Sequence, residues 1–552
     1  MFDRTRIRAA QRIGLAWLLC AAAAACFAQD ASGKYPVKGV ALDSVTHQPI
    51  ARVLVDAHAD AVLTDNDGHF ELALPGGAAN LDVHRPGYDR DDRNSSHAVT
   101  VAANMSDLTF YLTPDPILSG HVTLSTGDDP DGIRIRAYCR RTVNGRERWV
   151  MVGSATTNSE GAFRLANLPP SSSCLVYSMP ARDRAGPIAP GAMSYGYPSV
   201  YFPGVMDLAA AGILHLAPGQ QATADFTLAR QPFYSITITA TNRTEGRGGI
   251  PLQIHDESGR PLEGGGARWL PEQSAAQINL PNGHYYAEAR YGGQPQMYGR
   301  VDFTVAGAPI SGLMMTVLPV HSIPVEIHKD FTASSSAGVE ATSLEQPQRD
   351  DDPGLSMNLT SAEAFDAGGF FGGMQRQQGS SGSTQYELSD VWPGTYWVNT
   401  HVFQGYVSSI TSGGVDLMRE PLVVGPGSTS QPIMVTLRND AGSISGQLNQ
   451  QASSAAGSAA SLRAHIYAIP SFATTSNVPE VMAQSSGQFS IYNLAPGSYH
   501  VIALDQAADI SPDDTQELSK YTGKGETVTV EANGTANVQL SIISVDGGEP
   551  AP

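Results

Sequence analysis

Apolar and polar residues alternate over short runs along most of the chain, and the runs are punctuated in a repeating way. Leu63-Thr64-Asp65-Asn66-Asp67-Gly68-His69-Phe70-Glu71-Leu72 has counterparts in Thr157-Asn158-Ser159-Glu160-Gly161-Ala162-Phe163-Arg164-Leu165 and Gln484-Ser485-Ser486-Gly487-Gln488-Phe489-Ser490-Ile491. Each reads as a polar turn, a glycine, one residue, Phe, and renewed alternation. Period-two alternation marks half-buried strands, and glycine supplies the positive φ of a tight turn, so each stretch is predicted to be a β-hairpin. A second signature follows downstream: Asn167-Leu168-Pro169, Asn279-Leu280-Pro281-Asn282-Gly283-His284-Tyr285, Asp390-Val391-Trp392-Pro393-Gly394-Thr395-Tyr396 and Asn493-Leu494-Ala495-Pro496-Gly497-Ser498-Tyr499. Here a turn built on Pro and Gly returns an aromatic residue to the core of the next strand.

Short strands at this spacing predict an all-β chain of about five tandem immunoglobulin- or transthyretin-like β-sandwiches. Boundaries are placed at 35–114, 117–230, 231–319, 320–440 and 441–545. Residues 332–384 break the pattern with Ser, Gly, Gln and Asp, and are expected to be a long, partly disordered insertion in the fourth sandwich. One short helix is expected over Pro512–Tyr521, with Ser511 as its N-cap. At 552 residues the chain exceeds a single core, which agrees with several domains.

Composition narrows the function classes. Charged residues make up 16% of the chain, and the net charge of −19 argues against nucleic acid as a partner, because phosphates would be repelled. Residues 1–28 read as a secretory signal peptide, with Arg4, Arg6, Arg8 and Arg12 before the apolar run Ile13–Ala25 and small residues ahead of a cut at Gln29. The expected address is therefore the periplasm, the outer-membrane surface or the extracellular space. A second reading anchors the chain as a lipoprotein through Cys26. No later run is long and apolar enough for a transmembrane helix in the mature chain. Two cysteines remain after cleavage, Cys139 and Cys174, and an oxidising compartment makes a disulfide between them the expected state.

The opening glycines (Val37-Lys38-Gly39, Leu118-Ser119-Gly120, Ile444-Ser445-Gly446), the turn-Gly-x-Phe stretch and the Asn-Leu-x-Pro-Gly-x-Tyr turn resemble the carboxypeptidase regulatory-like domain, a transthyretin-like sandwich. The likeness is fairly specific for the first, second and fifth units and looser for the third and fourth. The whole is similar to large exported multi-domain proteins of acidobacteria. The resemblance implies accessory modules without chemistry of their own.

The sequence offers little for catalysis. No His is followed three positions later by Glu, as a zinc carboxypeptidase requires, and Gly379-Ser380-Ser381-Gly382 lacks the spacing of a hydrolase elbow. Asp65-Asn66-Asp67-Gly68 has the start of a calcium loop but not its frame, and reads as a turn. No catalytic residue, metal ligand or cofactor is expected. The surface candidate is Tyr195, Tyr197, Tyr201 and Phe202 on a Gly/Pro-rich segment. These aromatics could stack on sugar rings, or they could close one end of the second core. Trp392 and Trp397 carry the same two readings. The expected function is a non-enzymatic exported scaffold or binding protein with polysaccharide or an envelope protein as partner. The alternative is an accessory protein of a peptidase or another hydrolase, or an unrecognised hydrolase.

Overall fold

The computed structural model describes residues 33–57, 60–89, 96–103, 105–143, 145–182, 194–241, 251–262, 267–271, 274–292, 295–332, 354–365, 371–378, 384–427, 431–449, 464–475, 477–484, 486–508, 510–512, 518–521 and 523–545. The signal-peptide reading and Cys26 lie outside them, as does half of the predicted helix, of which Leu518 and Ser519 are helical. Nearly all the regular structure is β-strand, arranged as tandem sandwiches, with one 3-10 turn at Leu208–Ala210. Among the described residues no helix is long and apolar enough to cross a membrane.

The described residues up to Leu112 form one compact unit, and the other described residues form a second. The first unit is a single sandwich. One sheet orders His69–Pro75, Lys34–Asp43 and Leu108–Leu112; the other orders Asp60–Leu63, Leu54–Ala57, Gly77–His84 and Ser96–Val101. Strict alternation along His69–Pro75 sends Phe70, Leu72 and Leu74 inward and His69, Glu71 and Ala73 outward.

The repeated turn-Gly-x-Phe stretch is not a hairpin. Asp60–Leu63 belongs to one sheet and His69–Pro75 to the other, so the turn between them is the corner where the chain crosses the sandwich. The same crossing separates Arg146–Thr156 from Ala162–Leu165 and Glu480–Met482 from Gln488–Leu494. Local turn chemistry explains the misreading. The Asp65 carboxylate accepts from the backbone N–H groups of Asp67 (3.0 Å) and His69 (2.8 Å), and Asn158 does the same for Glu160 and Ala162. Such a turn looks alike whether its arms pair with each other or with different partners.

The glycines of the motif have a tertiary purpose. Gly39, Gly120 and Gly446 on the opening strands stand directly across from Phe70, Phe163 and Phe489. A Cβ on Gly446 would lie 2.5 Å from the Phe489 ring, so the missing side chain lets the ring lie across the strand. In the later signature, Tyr285 and Tyr499 donate to the carbonyls of Pro281 (3.2 Å) and Ala495 (2.8 Å), four residues back, pinning the turn.

The second unit begins with a sandwich whose sheets are Arg146–Thr156, Arg134–Val143, Ser172–Ser178, Val200–Tyr201 with Leu214–Leu216, and Ala162–Leu165, Ile117–Leu124, Gln221–Thr223 with Phe226–Leu228. Cys139 and Cys174 are cross-strand partners in its core and are joined as a disulfide. In the third sandwich, Gln231–Thr241 pairs with Ala275–Leu280 on one side and Ile310–Pro319 on the other. The fourth is organised around His321–Asp330, paired with Thr384–Val391 and Ile433–Arg438.

The expected insertion at 332–384 is corrected in part. Leu355–Ser361 is a core strand paired along its length with Gly394–Val402, and Leu355, Met357 and Leu359 are buried. Phe371–Gln378 is a second strand, paired with Thr384–Val391. A period-two apolar pattern sits inside the polar-rich segment and was outweighed by its flanks. Asp350-Asp351-Asp352-Pro353 and Gly368–Phe370 lie outside the described residues.

Candidate functional site

The aromatic segment of the second sandwich runs into the third. Ser194–Tyr197 pairs with Gln231–Thr241, placing Tyr195 opposite Pro232, and Ala181–Arg182 pairs with Ser194–Tyr197 in turn. Two short strands of one sandwich thus extend a sheet of the next. Gly196 permits this approach, since a Cβ there would meet the Ala181 carbonyl at 2.8 Å and the Phe233 ring at 3.0 Å.

A cleft of about 630 Å³ opens beside this junction. One wall comes from the second sandwich: Ser194–Gly196, Ser199 and the turn Met206–Ala209, whose Asp207 carboxylate accepts from Ala209 N–H at 2.9 Å. The other comes from the third: Phe233, Leu262, the turn Asp256–Ser258, and Asn279 to Tyr285. Apolar surface lines most of it, with Asn279, Asn282, His284, Ser258 and Asp256 as polar points.

The predicted aromatics divide. Tyr195 is 36% exposed and lines the cleft, with the Arg230 guanidinium 4.2 Å from its ring centre. Tyr197 and Tyr201 are buried. Tyr197 packs in the second core with its hydroxyl 2.7 Å from Thr126 Oγ1. Phe202 packs against the same core and stands edge-on to Phe226. The four therefore form no shared platform; one faces the cleft and three serve packing.

Tyr201 helps hold a residue that the sequence pattern did not single out. Arg260, 3% exposed, enters between the rings of Tyr177 (4.4 Å) and Tyr201 (4.6 Å). Asp256 pairs with it through Nε (2.9 Å) and Nη2 (2.8 Å), and its other oxygen accepts from Ser258 Oγ at 2.6 Å. This pair fixes the rim of the cleft and ties the third sandwich to the second, because a buried guanidinium is tolerable only when paired. Burial pushes the Tyr201 phenol up to about 12.

A second polar cluster joins the third and fourth sandwiches. The buried Glu288 accepts from Tyr298 (2.6 Å) and Arg290 (3.0 Å), while His255 stacks on Tyr286 at 4.6 Å. Tyr286 donates to Glu363 at 3.0 Å. Burial, with the Glu288 carboxylate beside it, raises the Tyr298 phenol well above its ordinary value. Trp392 belongs to this junction rather than to one core: its Nε1 donates to Gln296 at 2.9 Å and Arg290 lies 4.3 Å from its ring centre. Trp397 is covered by Arg146 at 4.0 Å. These groups are scattered over the sequence, and only their meeting in space gives them a role. Among the described residues no three His, Cys, Asp or Glu side chains are grouped to hold a metal ion.

Fold and cleft define an all-β, multi-sandwich chain with a mixed-polarity cleft at the junction between two of its modules. No family model and no curated protein matches the chain. Solved structures to which it is similar include the Bacillus anthracis TIE protein, at 11% identity over 74% of this chain and 69% of that one, with a TM-score of 0.15. A Streptococcal ancillary pilin is 12% identical over 56% of this chain and 98% of its own, at 0.16. Two B repeat units of the collagen-binding protein of Staphylococcus aureus are 11% identical over 71% and 94%, at 0.13. At these scores the likenesses carry no argument beyond the strand-rich character seen directly.

Proposed function

We propose that the chain is a non-enzymatic, exported scaffold or binding protein, and that the cleft between its second and third sandwiches takes a saccharide of the cell envelope. The observation that carries this reading is the cleft itself. It combines apolar surface and the Tyr195 ring with hydrogen-bonding groups at Asn279, Asn282 and His284 and with the carboxylates of Asp207, Asp256 and Glu257. A sugar presents the same mixture, an apolar C–H face and a rim of hydroxyls. The proposal keeps the likeness to carboxypeptidase regulatory-like modules, which would make the sandwiches accessory parts rather than a catalyst.

The test is calorimetric titration of the mature chain with oligosaccharides released from bacterial envelopes, beside Tyr195→Ala and Asn279→Ala variants. Binding roughly tenfold weaker in each variant, equivalent to about 1.4 kcal/mol, is expected, with the melting temperature unchanged because both changes lie at the cleft surface. Saccharide binding that both variants retain would remove the cleft from the account. Binding to envelope protein alone would replace the saccharide as partner.

A further inference from the structure

The fifth sandwich carries a polar surface depression apart from the cleft. Its three-stranded sheet orders Gln488–Leu494, Gly442–Leu448 and Thr535–Leu540. Registers align the outward residues in rows across it. Gln488, Gln447 and Gln539 form one row, and Ser490, Ser445 and Asn537 the next. Beyond them Ser443 and Thr535 meet through their hydroxyls at 2.8 Å. The inward residues of the same strands, among them Ile444, Phe489, Ile491 and Val538, belong to the core, so the rows point outward by strand alternation.

Three features set this face apart. It forms an open depression of about 650 Å³ lined by amides and hydroxyls, with Glu526 as the one acidic lining residue. The side-chain amides of Gln447, Gln488, Asn537 and Gln539 make no hydrogen bonds to other described residues, which leaves donors and acceptors to offer. Two residues past Ser490, and on the same side by alternation, Tyr492 is 70% exposed.

The corresponding faces of the first two repeats are different. There Lys38 pairs with Glu71 at 3.3 Å, and His121 stands 4.0 Å from Asp225 with Arg164 nearby on the next strand. Charged pairs are the ordinary covering of a solvated sheet; an uncharged amide ladder beside an exposed tyrosine is not.

We propose that this face binds a neutral polysaccharide chain. Rows about 4.8 Å apart across the strands and about 6.7 Å apart along them present paired donors and acceptors at sugar-ring scale. Each amide can serve as donor and acceptor to neighbouring hydroxyls, and Tyr492 offers a ring for the C–H face of one residue. The lack of basic side chains makes an uncharged polymer the matching occupant, since a polyuronate would meet Glu526 and no compensating cation. This site does not depend on the cleft between the second and third sandwiches.

The experiment is affinity electrophoresis of the full chain in gels containing a soluble β-glucan, a galactomannan or polygalacturonate. The expected result is retardation by a neutral polymer, absent with polygalacturonate. It should weaken roughly tenfold in Tyr492→Ala and in the double variant Gln447→Ala/Gln539→Ala, and persist in Tyr195→Ala. All these side chains are exposed, and unchanged melting temperatures would show that the variants fold. No retardation by either neutral polymer, or retardation untouched by Tyr492→Ala and by the double variant, would overturn the proposal. Retardation lost only in Tyr195→Ala would favour the cleft and overturn this site.

Discussion

The second and fifth sandwiches share a motif but cover the backs of their sheets in different ways. In each, one sheet is buried on both sides: Ser172–Ser178 is closed from Cys174 onward, and His465–Pro470 along its whole length. The fifth covers itself. Its own connection folds back so that Ile510 and Tyr521 pack on Tyr467, Ile469, Ile502 and Leu504, and Ala508 N–H donates to the Tyr467 hydroxyl at 2.9 Å. The second is covered by its neighbours. Tyr138, Trp149, Leu175, Tyr177, Met179 and Tyr201 pack around Phe365 of the fourth sandwich, and Arg260 arrives from the third. Backbone pairing reinforces the plug, because Trp149 N–H donates to the Ala364 carbonyl at 2.9 Å and Arg148 reaches the Ser361 carbonyl. One module therefore supplies the apolar cover of its own sheet, with only polar ties to its neighbours such as Ser511 Oγ to the Gly145 carbonyl at 3.2 Å, whereas the other completes its apolar packing only in company.

The sharpest way to break that contrast is to remove each cover. Phe365→Ala should cost about 3–5 kcal/mol, the usual range for a buried aromatic, because the cavity lies among rigid rings. Scanning calorimetry should show the transitions of the second and fourth sandwiches moving down together. Tyr521→Ala, a comparable loss, should lower the fifth alone. If Phe365→Ala shifted only the fourth, the second sandwich would not depend on its neighbour.

A somewhat smaller effect comes from the disulfide, which lies inside the second sandwich and has no counterpart in the fifth. Its cysteines are 35 residues apart, and chain entropy assigns a loop of that length about 3–4 kcal/mol. Cys139→Ala/Cys174→Ala should lower the melting temperature of the second sandwich and leave the fifth where it was. An equal fall in both would mean that the modules melt as one body.

Part of this contrast is written in the sequence. The run Cys174-Leu175-Val176-Tyr177 and the run Ile466-Tyr467-Ala468-Ile469 lack the alternation of His69–Pro75, which is the mark of strands buried on both faces. What covers them is not written there. Phe365 stands amid a polar-rich stretch with no local pattern, and Arg260 looks like any turn arginine until its distances to Tyr177 and Tyr201 are known. The aromatics near Tyr201 show the same limit. Composition marks them as a group, and alternation would put Tyr195 and Tyr197 on one face of their short strand; only the tertiary surroundings leave Tyr195 at the cleft and close Tyr197 into the second core. The corner turns read as hairpins for a related reason, since partner choice is tertiary information.

The smallest expected effect distinguishes the junctions by acid. The second sandwich is tied to its neighbours largely by rings. The passage from the fourth to the fifth runs through Asp440, which accepts from Arg438 Nη2 at 2.7 Å and from the Tyr406 hydroxyl at 3.0 Å. Its own carbonyl accepts from Asn533 of the fifth sandwich at 3.0 Å. The Arg438 hydrogen bonds, helped by that of Tyr406, hold the Asp440 carboxyl below its ordinary value. A carboxyl depressed by folding adds stability that is present above its unfolded pKa and disappears as the pH falls through the lower folded value. Lowering the pH from neutral into that range should therefore loosen the fourth sandwich, and with it the seat of the fifth, slightly more than the second, and Asp440→Asn should remove the difference. An asparagine variant with an unchanged acid response would move the sensitivity to another group and leave this junction without a part in it.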